Sequence, residues 1–169
     1  MNLKDWLAHC EKLHPHNIDM GLERVRKVAQ RLDWQWACPV VTVAGTNGKG
    51  STCAFLRTAL EAGGRRVHAY TSPHLVRFNE RIRVAGNLIT DEALAPLLAE
   101  VLDAAEADGM APSFFEATTA AAFLAFSRTK ADVAIIEVGL GGRLDATNVV
   151  PRPAATAITS ISMDHMDFL

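Results

Sequence analysis

The sequence predicts an α/β fold, a mostly parallel sheet with helices on both faces. Three observations carry that expectation. Short apolar, β-branched runs alternate with segments of helical period. The runs are 5–7 residues long, too short for helices. The polar, glycine-rich stretches GTNGKGS, TSPH, EVGLGG and SMDH each directly follow one of the strand-like runs. Ligands gather at the carboxyl ends of parallel strands, so four such loops on one edge point to a site there.

The elements follow in order. Leu3, Trp6, Leu7 and Cys10 recur at i, i+3, i+4 and i+7, which predicts a helix over 3–13. HPHNID interrupts it, and Leu22, Val25, Ala29 and Leu32 mark a second helix over 20–32. Val40–Ala44 reads as a buried strand, Ser51–Ala62 as a helix with Gly63 as its C-cap, and 66–70 as a strand. RIRVAGNLIT suits a small hairpin or an extended excursion. Leu94, Leu97, Leu98, Val101 and Leu102 mark a helix that Pro96 should delay or bend. Glu116–Arg128 is apolar nearly all round and therefore a buried helix. Residues 133–138 and 155–161 are the remaining strands, separated by the loop GLGGRLDATN.

Composition narrows the function classes. A chain of 169 residues, 49% hydrophobic and with a formal net charge of -2, suits a soluble domain with its own core. That charge gives no reason to expect nucleic acid or an anionic membrane as partner, and no apolar run reaches the ~18 residues a bilayer span needs. Cys10, Cys38 and Cys53 are odd in number and lack metal spacing, as expected of reduced thiols in a cytoplasmic protein. The chain stops at SISMDHMDFL, just after a polar turn opens, which suggests a truncated protein.

The stretch VTVAGTNGKGST (41–52) carries the most chemistry. Its glycines can turn backbone N–H groups toward an anion at a helix N-terminus, and Lys49 can reach terminal phosphates. Ser51 or Thr52 can offer a hydroxyl to Mg²⁺. The sheet is therefore P-loop NTPase-like, although the spacing departs from G-x-x-x-x-G-K-[ST]; an ordinary strand-to-helix glycine turn is the plain alternative. Glu137, closing an apolar strand, calls for a cation or a salt bridge. His165 is a ligand or a packing residue, Ser72 a ligand or a turn residue. Arg143 and Asp145 can cap their loop or touch a ligand, and the His14–His16 pair reads as a helix-to-helix turn rather than a metal site.

Six stretches resemble the Mur ligase family of ATP-dependent amide ligases, in particular its folate-glutamylating branch. They are IDMGLERV (18–25), VTVAGTNGKGST (41–52), TSPHLVRFNERIRV (71–84), FFEATT (114–119), EVGLGGRLDATN (137–148) and TSISMDH (159–165). The unusual loop spacing is that family's own. The resemblance implies a ligase that adds L-glutamate to dihydropteroate, to folates or to both, with ATP and Mg²⁺, through an acyl phosphate. It implies that Thr46, Asn47, Gly48, Lys49, Gly50 and Ser51 hold ATP, and that Ser51, Ser72, Glu137 and His165 hold Mg²⁺. Lys49, Glu137 and His165 would act in catalysis. Ile18, Asp19, Ser113, Phe115, Glu116, Leu144, Asp145 and Ala146 would bind the pterin-bearing substrate, with Phe115 suited to ring stacking and Asp145 to hydrogen bonding.

The same resemblance divides the chain into an N-terminal helical segment (1–38) packed on the core and a partial central ATP-binding domain (39–169). A smaller C-terminal domain, with a carbamylated lysine and the adenine and ribose contacts, would be absent, leaving the chain inactive alone. The full-length protein would be monomeric, whereas this chain would be able to pair through an uncovered sheet edge. A non-catalytic P-loop nucleotide-binding or regulatory module is the competing class. Such modules carry the standard loop spacing or an N-K-x-D-like segment, neither of which occurs here.

Overall fold

The computed structural model describes residues 1–13 and 20–163. The His14–His16 pair, Ile18, Asp19 and His165 lie outside the described residues. Strands β1 (Val40–Ala44), β2 (Val67–Tyr70), β3 (Ile82–Val84), β4 (Asn87–Leu88), β5 (Val133–Glu137) and β6 (Ala155–Ile158) form one sheet, in the order β4-β3-β2-β5-β1-β6. β2, β5, β1 and β6 are parallel, while β3 and β4 extend the sheet as an antiparallel hairpin. RIRVAGNLIT is thus a hairpin, closed by Ala85 and Gly86, both at positive φ, the hand that a two-residue hairpin turn requires.

Period-two burial sorts the strand residues between two cores. Val40, Tyr70, Ala134 and Ile136 face α1 (Leu3–Leu13), α2 (Glu23–Arg31), α4 (Asp91–Glu106) and α5 (Phe114–Arg128). Val41, Val43, Val67, Val133 and Ile135 face the other way, against Cys53, Leu56 and Leu60 of α3 (Lys49–Ala62). α5 is buried from Glu116 to Phe126, as its all-round apolar sequence requires. Phe123, at its middle, meets Trp34, Trp36, Tyr70 and Phe126 with ring centroids 4.8–6.2 Å apart.

Three helices begin earlier than periodicity suggests, each for a local reason at its first residues. α3 starts at Lys49, directly after Gly48 in a left-handed conformation (φ 85°). α4 starts at Asp91 with Pro96 inside it, which corrects the expectation of a late start. Thr90 accepts the Ala93 N–H at its N-cap, and acidic Asp91 and Glu92 suit the first turn. Pro96 leaves the first-turn carbonyl of Glu92 without its amide donor. α5 starts at Phe114 because Ser113 and Glu116 form a reciprocal capping box, at 3.3 and 2.8 Å. Glu116 also accepts from Arg24 Nε at 2.8 and 3.0 Å, which ties α2 to the start of α5.

His68 is fully buried on β2, stacked on Phe126 with ring centroids 4.5 Å apart. Its Nδ1 accepts the Ala85 N–H at 3.0 Å, so Nε2 carries the proton that it donates to the Thr129 carbonyl at 2.9 Å. Burial holds its pKa below the ordinary 6.5. The unfolded chain therefore takes up this proton first, and stability falls as pH drops through about 6.5 toward the folded value. Urea unfolding at pH 7.5 and 5.5 should show that loss, of up to about 1 kcal/mol per pH unit, and His68→Gln should reduce it. Equal losses in both proteins would exclude His68 as the source.

Candidate functional site

The parallel register decides what meets at the carboxyl rim. Glu137, the last residue of β5, pairs with Val43 on one side, while its predecessor Ile136 pairs with Tyr70 on the other. The chain leaving β1 and the chain leaving β2 therefore flank the Glu137 carboxylate. The loops after β5 and β6 leave the sheet at the same rim.

The glycine loop after β1 is held from below by the segment after β6. Thr46 N–H and Asn47 N–H donate to the Ser160 carbonyl at 2.8 and 3.4 Å, and the Thr46 hydroxyl donates to the Ser162 carbonyl at 3.1 Å. Asn47 Nδ2 donates to Ser162 Oγ at 3.3 Å. A Cβ on Gly45 would lie 2.0 Å from Thr159 Oγ1, so only glycine permits this approach. The amides of Thr46 and Asn47 are thus occupied, and no described side chain caps α3. Its first-turn N–H groups, with the positive end of the helix, are an arrangement that can accept an anion. Lys49 Nζ donates to the carbonyls of Gly45 and Thr46 at 2.9 and 3.1 Å, which holds its charge over the loop. The Thr52 hydroxyl donates back to the Gly48 carbonyl, whereas Ser51 makes no side-chain hydrogen bond among the described residues.

Glu137 is 4% exposed and accepts the Ser72 N–H at 3.0 Å. A Cβ on Gly50 would lie 3.7 and 3.8 Å from its two oxygens, so the carboxylate sits against the first turn of α3. Burial pushes its pKa up, opposed by the Ser72 amide and by Lys49. Among the described residues it has no salt bridge, and its oxygens face the Ser72 amide and the first turn of α3. Ser51, Ser72 and Glu137 border one cavity of about 440 Å³. The described residues contain no cluster of three or more His, Cys, Asp or Glu side chains. One buried carboxylate with hydroxyls fits Mg²⁺, which commonly takes one or two carboxylates and completes its shell with water and phosphate. Cys53 borders the same cavity, but burial and the Glu137 charge push its thiol up to about 12, so it remains protonated.

A second cavity, also about 440 Å³, shares Ser72 and Pro73 with the first. Every described residue of the implied substrate set borders it: Ser113, Phe115, Glu116, Leu144, Asp145 and Ala146. Lys49 and Arg81 supply positive charge at its wall, and Met20, Phe114 and Leu140 supply apolar surface. Two of the set already hold the wall together. Asp145 accepts the Leu140 N–H on one oxygen, at 2.8 Å, and Thr147 N–H and hydroxyl on the other. Glu116 is engaged by Ser113 and Arg24. Asp145 therefore caps its own loop while lining the cavity, whereas Arg143 is exposed and contributes its carbonyl to Asn148.

Sequence reading missed Arg81, Gly139 and Leu140 as wall residues. Arg81 lay inside a quoted stretch without a pattern to single it out, but S-x-x-E at 113–116 was a legible capping signal. A Cβ on Gly139 would meet Phe115 Cζ at 2.6 Å and Asp145 Oδ2 at 2.9 Å. Gly139→Ala should therefore displace the Phe115 ring and lower unfolding free energy by about 1–3 kcal/mol in denaturant melts. An unchanged melt with unchanged Phe115 ring resonances would refute that contact.

The model of the Mur ligase middle domain matches residues 43–169. The dihydrofolate synthase/folylpolyglutamate synthase of Haemophilus influenzae is 48% identical over 168 residues, 99% of this chain and 38% of that protein. Among solved structures, Escherichia coli FolC in complex with DHPP and ADP superposes with a TM-score of 0.94 at 46% identity, covering 100% of this chain and 40% of that one. The bifunctional folylpolyglutamate synthase/dihydrofolate synthase of Yersinia pestis, complexed with AMPPNP and Mn ion, gives 0.90 at 45% identity, over 100% and 41%. The chain thus spans about two fifths of the length of these relatives.

Proposed function

Because the chain belongs to the Mur ligase family, through its middle domain, we propose that it serves an ATP-dependent ligase joining L-glutamate to dihydropteroate, to folates or to both. One observation carries this reading. The cavity holding every described residue of the substrate set adjoins the glycine loop and the Glu137 rim, sharing Lys49 with the loop and Ser72 with the rim. An acid lying in the cavity has its carboxylate end beside the phosphate-binding groups. The names of the relatives, and the nucleotide, metal and DHPP in their structures, support the same substrates.

The chemistry follows from the poor electrophilicity of a carboxylate. The γ-phosphoryl group of ATP passes to a carboxylate oxygen, giving an acyl phosphate and ADP. The glutamate amine attacks the acyl carbon, the amide C–N bond forms, a proton leaves nitrogen, and phosphate departs with the C–O electron pair. Such transfer needs positioning and charge neutralisation above all. The first-turn amides of α3 and Lys49 would hold and neutralise the phosphates, with Lys49 exchanging its carbonyl partners for them. Ser51, Ser72 and Glu137, with His165, would hold Mg²⁺, which when bound supplies further neutralisation. Phe115 would stack on the pterin, with Ile18 and Asp19 contributing from the N-terminal segment.

We assign residues 1–38 to a helical segment packed on the core, since α1 and α2 join the cluster around α4 and α5. Residues 39–169 form part of the central domain, and the family match beginning at residue 43 supports that division. The three free cysteines support a cytoplasmic setting.

Titration calorimetry tests the ligand assignments. The chain should bind a non-hydrolysable ATP analogue and dihydropteroate, Lys49→Ala should weaken the nucleotide selectively, and the chain alone should show no glutamate-dependent turnover. Binding of neither ligand would end this reading, and measurable turnover would refute the inactivity.

We also propose that the 169-residue chain self-associates through β6. Among the described residues that strand has β1 on one side only, and Ile158 is 71% exposed at its end. Sedimentation should show concentration-dependent dimers that Ile158→Lys suppresses; a monomer across the full concentration range would contradict the proposal.

A further inference from the structure

We propose that Glu80 is a positioning residue for the cation-holding rim, its carboxylate fixing the 72–77 loop so that Ser72 meets Glu137. The inference rests on the reading of Ser51, Ser72 and Glu137 as Mg²⁺-holding residues. Glu80 Oε2 accepts the Leu75 N–H at 2.8 Å, while Oε1 accepts those of Val76 and Arg77 at 3.1 and 2.7 Å. Three consecutive amides thus converge on one side chain, a set of charge-assisted bonds that only a carboxylate can accept in full.

The loop is pinned at three places. Ser72 N–H reaches Glu137, His74 Nδ1 accepts from Arg81 Nε at 2.9 Å, and residues 75–77 close on Glu80. Glu80 is itself well seated, on a short 3₁₀ turn (Phe78–Arg81) anchored by buried Phe78 and Asn79. Asn79 Nδ2 donates to the Ile89 carbonyl at 2.8 Å and to Asp91 at 2.9 Å. Turning the three amides inward leaves the Leu75 and Val76 side chains 92% and 83% exposed. Such apolar exposure is unfavourable, and the amide convergence is what offsets it. Glu80 borders the same cavity as Ser51, Ser72 and Glu137. Among the described residues its carboxylate bonds the Leu75, Val76 and Arg77 amides and none of the Ser51, Ser72 and Glu137 side chains, so it acts through the loop rather than on the ion. The amides hold its pKa below the ordinary carboxylate value, Arg77 most strongly.

Two measurements test this on the 169-residue chain, with Mn²⁺ as the probe ion and a non-hydrolysable ATP analogue present. Hydrogen exchange of the unaltered chain should show protected Leu75, Val76 and Arg77 amides despite their exposed side chains; exchange at random-coil rates would overturn the clamp without any variant. Water-proton relaxation should give an Mn²⁺ dissociation constant about tenfold weaker in Glu80→Gln, whose amide oxygen cannot accept all three donors. Glu80→Asp, which keeps the charge, should recover part of the loss. Equal Mn²⁺ affinity in Glu80→Gln, with Glu137→Gln abolishing it, would refute the role of Glu80 alone. An unaltered chain that binds no Mn²⁺ would remove the rim reading itself.

Discussion

The parallel register of β2, β5 and β1 is the constraint on which the site depends. Because Glu137 aligns with Val43 and Ile136 with Tyr70, the ends of β1 and β2 emerge on either side of one carboxylate. A shift of one residue would turn the Glu137 side chain to the opposite face of the sheet. The apolar alternation that builds two cores therefore also aims the polar rim. Packing and chemistry share one register, so neither can slip without the other.

Three buried carboxylates meet the cost of desolvation in different ways. Glu116 has a guanidinium partner and a helix cap. Asp145 has two amides and a hydroxyl within its own loop. Glu137 has the Ser72 amide as its hydrogen-bond donor among the described residues, and burial raises its pKa. The first two are satisfied and stiffen the cavity wall; the third retains acceptor capacity beside the uncapped end of α3. A buried carboxylate left incompletely partnered is a place where a bound cation would be favourable.

The two cavities meet at the Ser72–Pro73 segment, so that segment belongs to both the Glu137 rim and the apolar-walled cavity. Its anchoring comes partly from Glu137 at the end of β5 and partly from outside the parallel sheet, through the 3₁₀ turn and the β3–β4 hairpin. The antiparallel extension thus does more than widen the sheet, because it carries the support for a loop that the parallel strands alone leave free at one end.

By itself the sequence determined the strand and helix order, the buried character of α5 and the four glycine-rich or polar rim loops. These are written in local periodicity and in residue types with one dominant conformational use. The glycine-loop spacing and its companion stretches were also legible as a family pattern, because each has its own fixed residues. Only the tertiary structure decided that Thr52 is spent on α3 while Ser51 borders the rim cavity, that Lys49 rests on its own loop, and that Glu80 gathers three amides. It likewise decided that Arg24 joins Glu116 across 92 residues of sequence. Those outcomes depend on which donors and acceptors the fold brings within about 3 Å, a matter of long-range register and packing that no local window of residues contains.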